Sequence, residues 1–92
     1  MKIVWSKRAS ASFEAYIEHI EIENPINAEK WAIRVFTKIE SLLEYPKIGT
    51  SSSKSDQLRQ IIVEKNFIVV YRLVKDKCRI VAFKRTSQNS NN

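Results

Sequence analysis

The chain has 92 residues, 43% hydrophobic and 28% charged, the length and make-up of one small globular domain spanning 1–92. A chain this short buries a modest core, so most of its apolar side chains must go to packing. Sixteen Lys and Arg against ten Asp and Glu leave a net charge of +6, which favours a polyanion or an acidic protein as partner, or simply keeps a small domain soluble.

No apolar run approaches the roughly 20 residues that span a bilayer. The opening Met1-Lys2-Ile3-Val4-Trp5 lacks the apolar stretch of a signal peptide. The lone Cys78 has no partner for an internal disulfide, which fits a reducing compartment. One Cys and one His fall short of the ligands a zinc ion needs. A cytoplasmic protein with no metal, no cofactor and no membrane association is expected.

Residues 2–6 read as a short strand with Ile3 and Trp5 on one face. Ser6 is a natural N-cap, and Ala9, Phe13, Tyr16, Ile17 and Ile20 then fall on one helical stripe. Most of the glutamates (Glu14, Glu18, Glu21, Glu23) lie off it, so the spacing predicts a helix from about Lys7 to Glu23. Asn24-Pro25 breaks it: Asn suits an N-cap, and Pro suits the first helical position, where its missing N–H costs nothing. A second helix follows, with Ala28, Trp31, Ala32, Val35, Ile39, Leu42 and Leu43 on one face, until Pro46 and Gly49 end it. Two long amphipathic helices joined at one short break must fold back as an antiparallel hairpin.

Thr50 to Ser55 reads as a mobile Ser-rich loop. The period then changes from helical to alternating. Leu58–Val63 and Phe67–Val74 are predicted strands, with turns at Glu64-Lys65-Asn66 and Lys75-Asp76-Lys77. The second strand is apolar on both faces, the mark of a central strand covered on both sides for most of its length. Cys78 to about Lys84 is the last strand, and the polar tail 86–92 is expected to be disordered. The expected fold is α+β, in the order β-α-α-β-β-β. An antiparallel meander carries the helical hairpin on one face, and the first strand joins the same sheet.

No Gly-rich phosphate loop is possible with Gly49 as the only glycine, and no Ser-His-Asp set stands out. His19 sits beside the stripe of the first helix and reads as structural or surface. Cys78 has no neighbouring His and reads as an unreactive thiol. The interesting residues are basic and lie on or near the sheet: Lys54, Arg59, Lys65, Arg72, Lys75, Lys77, Arg79, Lys84 and Arg85. Arg59 alternates with Ile61 and Val63, and Arg72 interrupts an apolar strand beside Tyr71. A charge in such a position needs a partner or a cleft. One reading gives it a helix glutamate such as Glu40 or Glu44, or an exposed strand end. The other places the guanidinium on a concave sheet face, gripping phosphate. Tyr71 and Trp31 could stack on a base, but both positions read first as core.

Trp5-Ser6 with Ala9, Asn24-Pro25 with Ala28, Leu42 with Pro46 and Gly49, Leu58-Arg59, Phe67-Ile68-Val69-Val70-Tyr71-Arg72-Leu73 and Ile80-Val81 together resemble the RelE/ParE toxin superfamily, also known as plasmid stabilisation proteins. The resemblance runs over nearly the whole chain and rests on order and spacing. It implies the toxin of a type II toxin–antitoxin system, neutralised by a cognate antitoxin protein. It also implies one of two targets. RelE-like members cleave mRNA on the ribosome without a metal; ParE-like members inhibit DNA gyrase and are not enzymes. On the first, Arg59 and Arg72 would bind phosphate and stabilise charge, with Lys84 or Arg85 assisting the leaving group. The catalytic candidates are then Arg59, Arg72 and Arg85, and the nucleic-acid-binding candidates Lys54, Arg59, Lys65, Arg72, Lys84 and Arg85. Thr50 stands where many relatives carry an arginine after the loop glycine, and Ser87 stands where many carry one near the C-terminus. The long hairpin leans toward the gyrase arm and the basic sheet toward the ribosomal arm. The alternative is a degenerate, non-catalytic member that only binds an antitoxin or a nucleic acid.

Overall fold

A computed structural model describes residues 1–52 and 55–86. The chain runs β1 (Lys2–Trp5), α1 (Lys7–Glu23), α2 (Pro25–Glu40), a 3-10 turn (Ser41–Leu43), β2 (Thr50–Ser52), β3 (Ser55–Val63), β4 (Phe67–Val74) and β5 (Lys77–Arg85). The five strands form one sheet in the order β1-β5-β4-β3-β2. β3, β4 and β5 pair antiparallel as a meander, and β1 joins β5 in parallel. The α+β hairpin-on-sheet architecture is the expected one.

Both helix starts are capped by the residues that the sequence marks. The Ser6 hydroxyl accepts from the Ala9 N–H at 3.0 Å, and the Asn24 carboxamide oxygen accepts from the Asn27 N–H at 3.0 Å. Ser6 also donates its hydroxyl to the Val81 carbonyl at 3.1 Å. That carbonyl lies at an irregularity in the β4–β5 register, where Val70 pairs Ala82 but Tyr71 pairs Ile80. The extra residue bends β5, and Ser6 pins the start of α1 to that bend. Ser6→Ala is therefore expected to lower the unfolding free energy by about 1–2 kcal/mol in a urea titration. A loss of only a tenth or two would mean that water replaces both bonds.

The core lies between the hairpin and one sheet face. Phe13 of α1 and Trp31 of α2 meet Phe67 of β4 and Phe83 of β5, with Phe13–Phe83 ring centroids 5.2 Å apart and Trp31–Phe67 at 5.2 Å. Phe67 stacks on Phe83 at 5.4 Å, and Val69, Tyr71 and Ile80 continue the buried face. Such offset and edge-to-face pairs add to area burial.

Two expectations change. The Ser-rich loop contributes a short strand: β2 pairs with β3, Thr50 opposite Gln60 and Ser51 opposite Arg59, because exposed backbone beside an open sheet edge gains hydrogen bonds by joining it. And β4, although central, is covered on one side only. Phe67, Val69 and Tyr71 are buried, whereas Ile68 and Val70 are half-buried and Arg72 and Val74 exposed. Both helices pack on the first face. The apolar residues of the second are β-branched types that suit an extended strand whether or not a layer covers them. Of the tail expected to be disordered, 86–92, Thr86 donates its N–H to the Asn66 carbonyl at 2.8 Å, and residues 87–92 lie outside the described ones.

Candidate functional site

The segment between α2 and β2 is held down from the sheet. Tyr71, fully buried in β4, donates its hydroxyl to the Pro46 carbonyl at 2.8 Å and accepts from the Gly49 N–H at 2.9 Å. A Cβ on Gly49 would lie 2.6 Å from that hydroxyl and 2.8 Å from the Gln60 carbonyl, so the backbone can approach this closely only at glycine. Arg59 shares the face of Tyr71, its register partner. Its guanidinium donates to the Gly49 carbonyl at 2.9 Å and the Lys47 carbonyl at 3.3 Å. Neither Arg59 nor Arg72 pairs with Glu40 or Glu44. Among the described residues the ion pair present is Arg34 with Glu64 at 2.9 Å, which ties α2 to the β3–β4 turn. Arg59 instead donates hydrogen bonds to loop carbonyls, and Arg72 points away from the helices altogether.

Beside this clamp lies an open groove of about 530 Å³ lined by Lys47, Gln57, Arg59, Arg72, Leu73, Val74 and Lys75. The lining holds four cations and, among the described residues, no carboxylate, imidazole or phenol. Arginine stays protonated and donates in a rigid fork suited to phosphate or carboxylate. The groove can bind an anion.

The sequence candidates divide between the two ends of the sheet. Arg59 and Arg72 come together at the groove. Arg85 pairs with Phe67 at the far end of β4, with its guanidinium carbon 5.8 Å from that ring. Five residues separate Phe67 from Arg72, roughly 17 Å along a strand. Lys84 and Lys65 lie at the Arg85 end, on β5 and in the β3–β4 turn, and Lys54 falls outside the described residues. Sequence reasoning left Lys47 out; as the residue after Pro46 it carried no periodic signal. His19 is exposed on α1, in the hairpin layer. Trp31 and Tyr71 are core, so neither presents a ring for stacking.

Burial pushes the Cys78 thiol up from its ordinary value of 9.0 to about 11. Desolvation also raises the Tyr71 phenol, against the lowering effects of the Gly49 N–H and Arg59, with Cys78 adding to the rise. The fold prefers the neutral form of both acids. Their contribution is complete below their unfolded pKa values and is lost as pH climbs through the folded ones. Unfolding free energy is therefore expected to hold from neutral pH to about 8.5 and to fall by about 2–3 kcal/mol by pH 11 from Cys78 alone. Cys78→Ala should shallow that fall in urea titrations across the range; an unchanged slope would show that other groups cause it.

The sheet backed by a helical hairpin that carries this clamp and groove is a known fold. The model of the ParE toxin of the type II toxin–antitoxin system parDE matches residues 3–90. The chain belongs to this ParE toxin family. It is 28% identical over 87 residues to Toxin RelE2 of Caulobacter vibrioides, covering 95% of this chain and 97% of that one. A chain of the chromosomal ParDE system from P. aeruginosa shares the fold at a TM-score of 0.81 and 20% identity, covering 95% of this chain and 97% of that one. The protein is thus a toxin of a type II toxin–antitoxin pair, and an antitoxin partner follows from that. Among the described residues no helix is long and apolar enough to cross a membrane.

Proposed function

We propose that this toxin acts in the cytoplasm as a single domain and arrests growth by binding DNA gyrase, without chemistry of its own, until its antitoxin covers it. The observation that carries this reading is the state of the groove. Arg59 gives its Nη1 donors to loop carbonyls, the Tyr71 hydroxyl has both its donor and an acceptor position engaged inside the core, and Arg85 sits at the other end of the sheet. RNA cleavage needs groups that take and give protons at the reacting oxygens. Arginine cannot serve as that base, and beside its two arginines and two lysines the groove brings no carboxylate, imidazole or phenol among the described residues, which favours recognition over bond breaking.

A second reading, ribosome-dependent mRNA cleavage, is favoured by one feature: Arg72, Lys47 and Lys75 face the same groove and could hold a phosphate near the reacting bond. Induced expression separates the two. Under the gyrase reading, plasmid DNA from induced cells relaxes while primer extension on abundant mRNAs shows no new 5′ ends. New ends within coding sequences, with supercoiling intact, would establish the ribosomal reading instead. Co-expression of the antitoxin should restore growth in either case.

A further inference from the structure

The sheet face turned away from the helices contains an arrangement that folding alone does not favour. Arg72 of β4 lies directly across from Arg79 of β5, and Lys77 of β5 directly across from Lys2 of β1. All four are exposed. Register partners on one face have Cβ atoms about 5 Å apart, and like charges so placed repel. Two such pairs occupy neighbouring rows, since Arg79 and Lys77 are two residues apart on one strand. None of the four makes an ion pair with a described residue. A sequence that breaks the cross-strand rule twice in one place, with no ion pair to a described residue to offset it, marks a functional surface.

We infer that these paired cations form a docking site for the phosphate backbone of duplex DNA, engaged without reading sequence. Two arginines side by side offer bidentate forks to successive phosphates, and the lysines extend the positive strip across β5 to β1. Single-stranded nucleic acid is the poorer fit. Its recognition relies on aromatic side chains that stack on bases, and the rings of Trp5, Phe67, Tyr71 and Phe83 all lie on the helix-facing side of the sheet. The open face presents Val4, Ile68, Val70 and Ala82 around the cations instead, with no ring to insert. The site deepens the gyrase reading and rests on it only for the source of the DNA, the duplex that gyrase holds; the binding chemistry stands apart from it.

The test is fluorescence anisotropy of a labelled 20-base-pair duplex of arbitrary sequence, titrated with the full chain at several salt concentrations. Binding is expected to weaken with salt at a slope of about −0.9 per phosphate contacted. In R72Q/R79Q affinity should fall about tenfold or more, and the slope should shrink by about two. Lys30→Gln, on the exposed surface of α2, should leave both unchanged. The same double variant should melt at an equal or higher temperature than the parent, because it removes a repulsion. Single Arg79→Gln gives half the slope change and serves if the double variant folds poorly. Absence of duplex binding by the parent chain, or an unchanged slope in the arginine variants, overturns the proposal whatever the chain does to gyrase. So does competition by polyglutamate as effective as by unlabelled duplex at equal charge, since that would make the site one for acidic protein. Duplex binding that tracks the arginines, in a chain that leaves gyrase untouched, keeps the site and removes the gyrase reading.

Discussion

Phe83→Ala is expected to lower the unfolding free energy by about 3–5 kcal/mol, the cost of emptying a large aromatic site in a packed core. Phe83 is 2% exposed, and its ring meets Phe13 at 5.2 Å, Phe67 at 5.4 Å, Tyr16 at 5.8 Å and Trp31 at 6.0 Å. It touches both helices and β4, so its loss leaves a hole shared by three elements, none of which can close it alone. A domain of this size has roughly 5–14 kcal/mol in total, and the variant should be partly unfolded at body temperature. Ile62→Ala is the contrast. Ile62 is 60% exposed, and its truncation should cost no more than about 0.5 kcal/mol. Urea titrations of both decide the matter; equal costs would mean that the ring cluster is not the centre of the core.

The second large effect separates two arginines that the sequence treats alike. Arg72→Met should leave stability unchanged or slightly raised, because Arg72 faces solvent opposite Arg79, yet cut growth inhibition on induction by about tenfold or more, the factor attached to 1.4 kcal/mol of lost binding. Arg59→Met should do the reverse in order of cause. It withdraws a charged donor from the Gly49 and Lys47 carbonyls, which costs about 1–3 kcal/mol, and toxicity should fall only as far as folded protein falls. Urea titration and graded induction, run on both variants with soluble protein measured, give the two readouts. Stability lost in Arg72→Met and retained in Arg59→Met would place the functional and structural roles the wrong way round.

That split shows what could be read in the sequence and what could not. The helices were legible because their signals are local: Ser6, Asn24 and Pro25 each act on backbone groups within a turn, and the apolar stripes repeat at a fixed spacing. The meander was legible for the same reason. β2 was not, since Thr50–Ser52 pairs through backbone groups that any residue carries, and only the nearness of β3 makes it a strand. The one-sided burial of β4 was hidden too. Ile68 and Val70 look like core residues, and whether a second layer covers them depends on where the helices go. At the candidate site, an arginine in an apolar strand signals an unusual position, but the face it takes follows from register. Arg59 falls on the inner face with its register partner Tyr71, and Arg72, the next residue after Tyr71 on β4, falls on the outer face with Arg79. Their separation from Arg85 is likewise a matter of register, because Phe67, not Arg72, lies opposite it.

The central claim, inhibition by binding gyrase, is tested most directly by a supercoiling assay with purified gyrase, relaxed plasmid and the purified toxin. Supercoiling should stop as toxin approaches and exceeds the enzyme, return when antitoxin is added, and require about tenfold more toxin to stop when the toxin carries Arg72→Met. Full supercoiling at a large excess of folded toxin would contradict it.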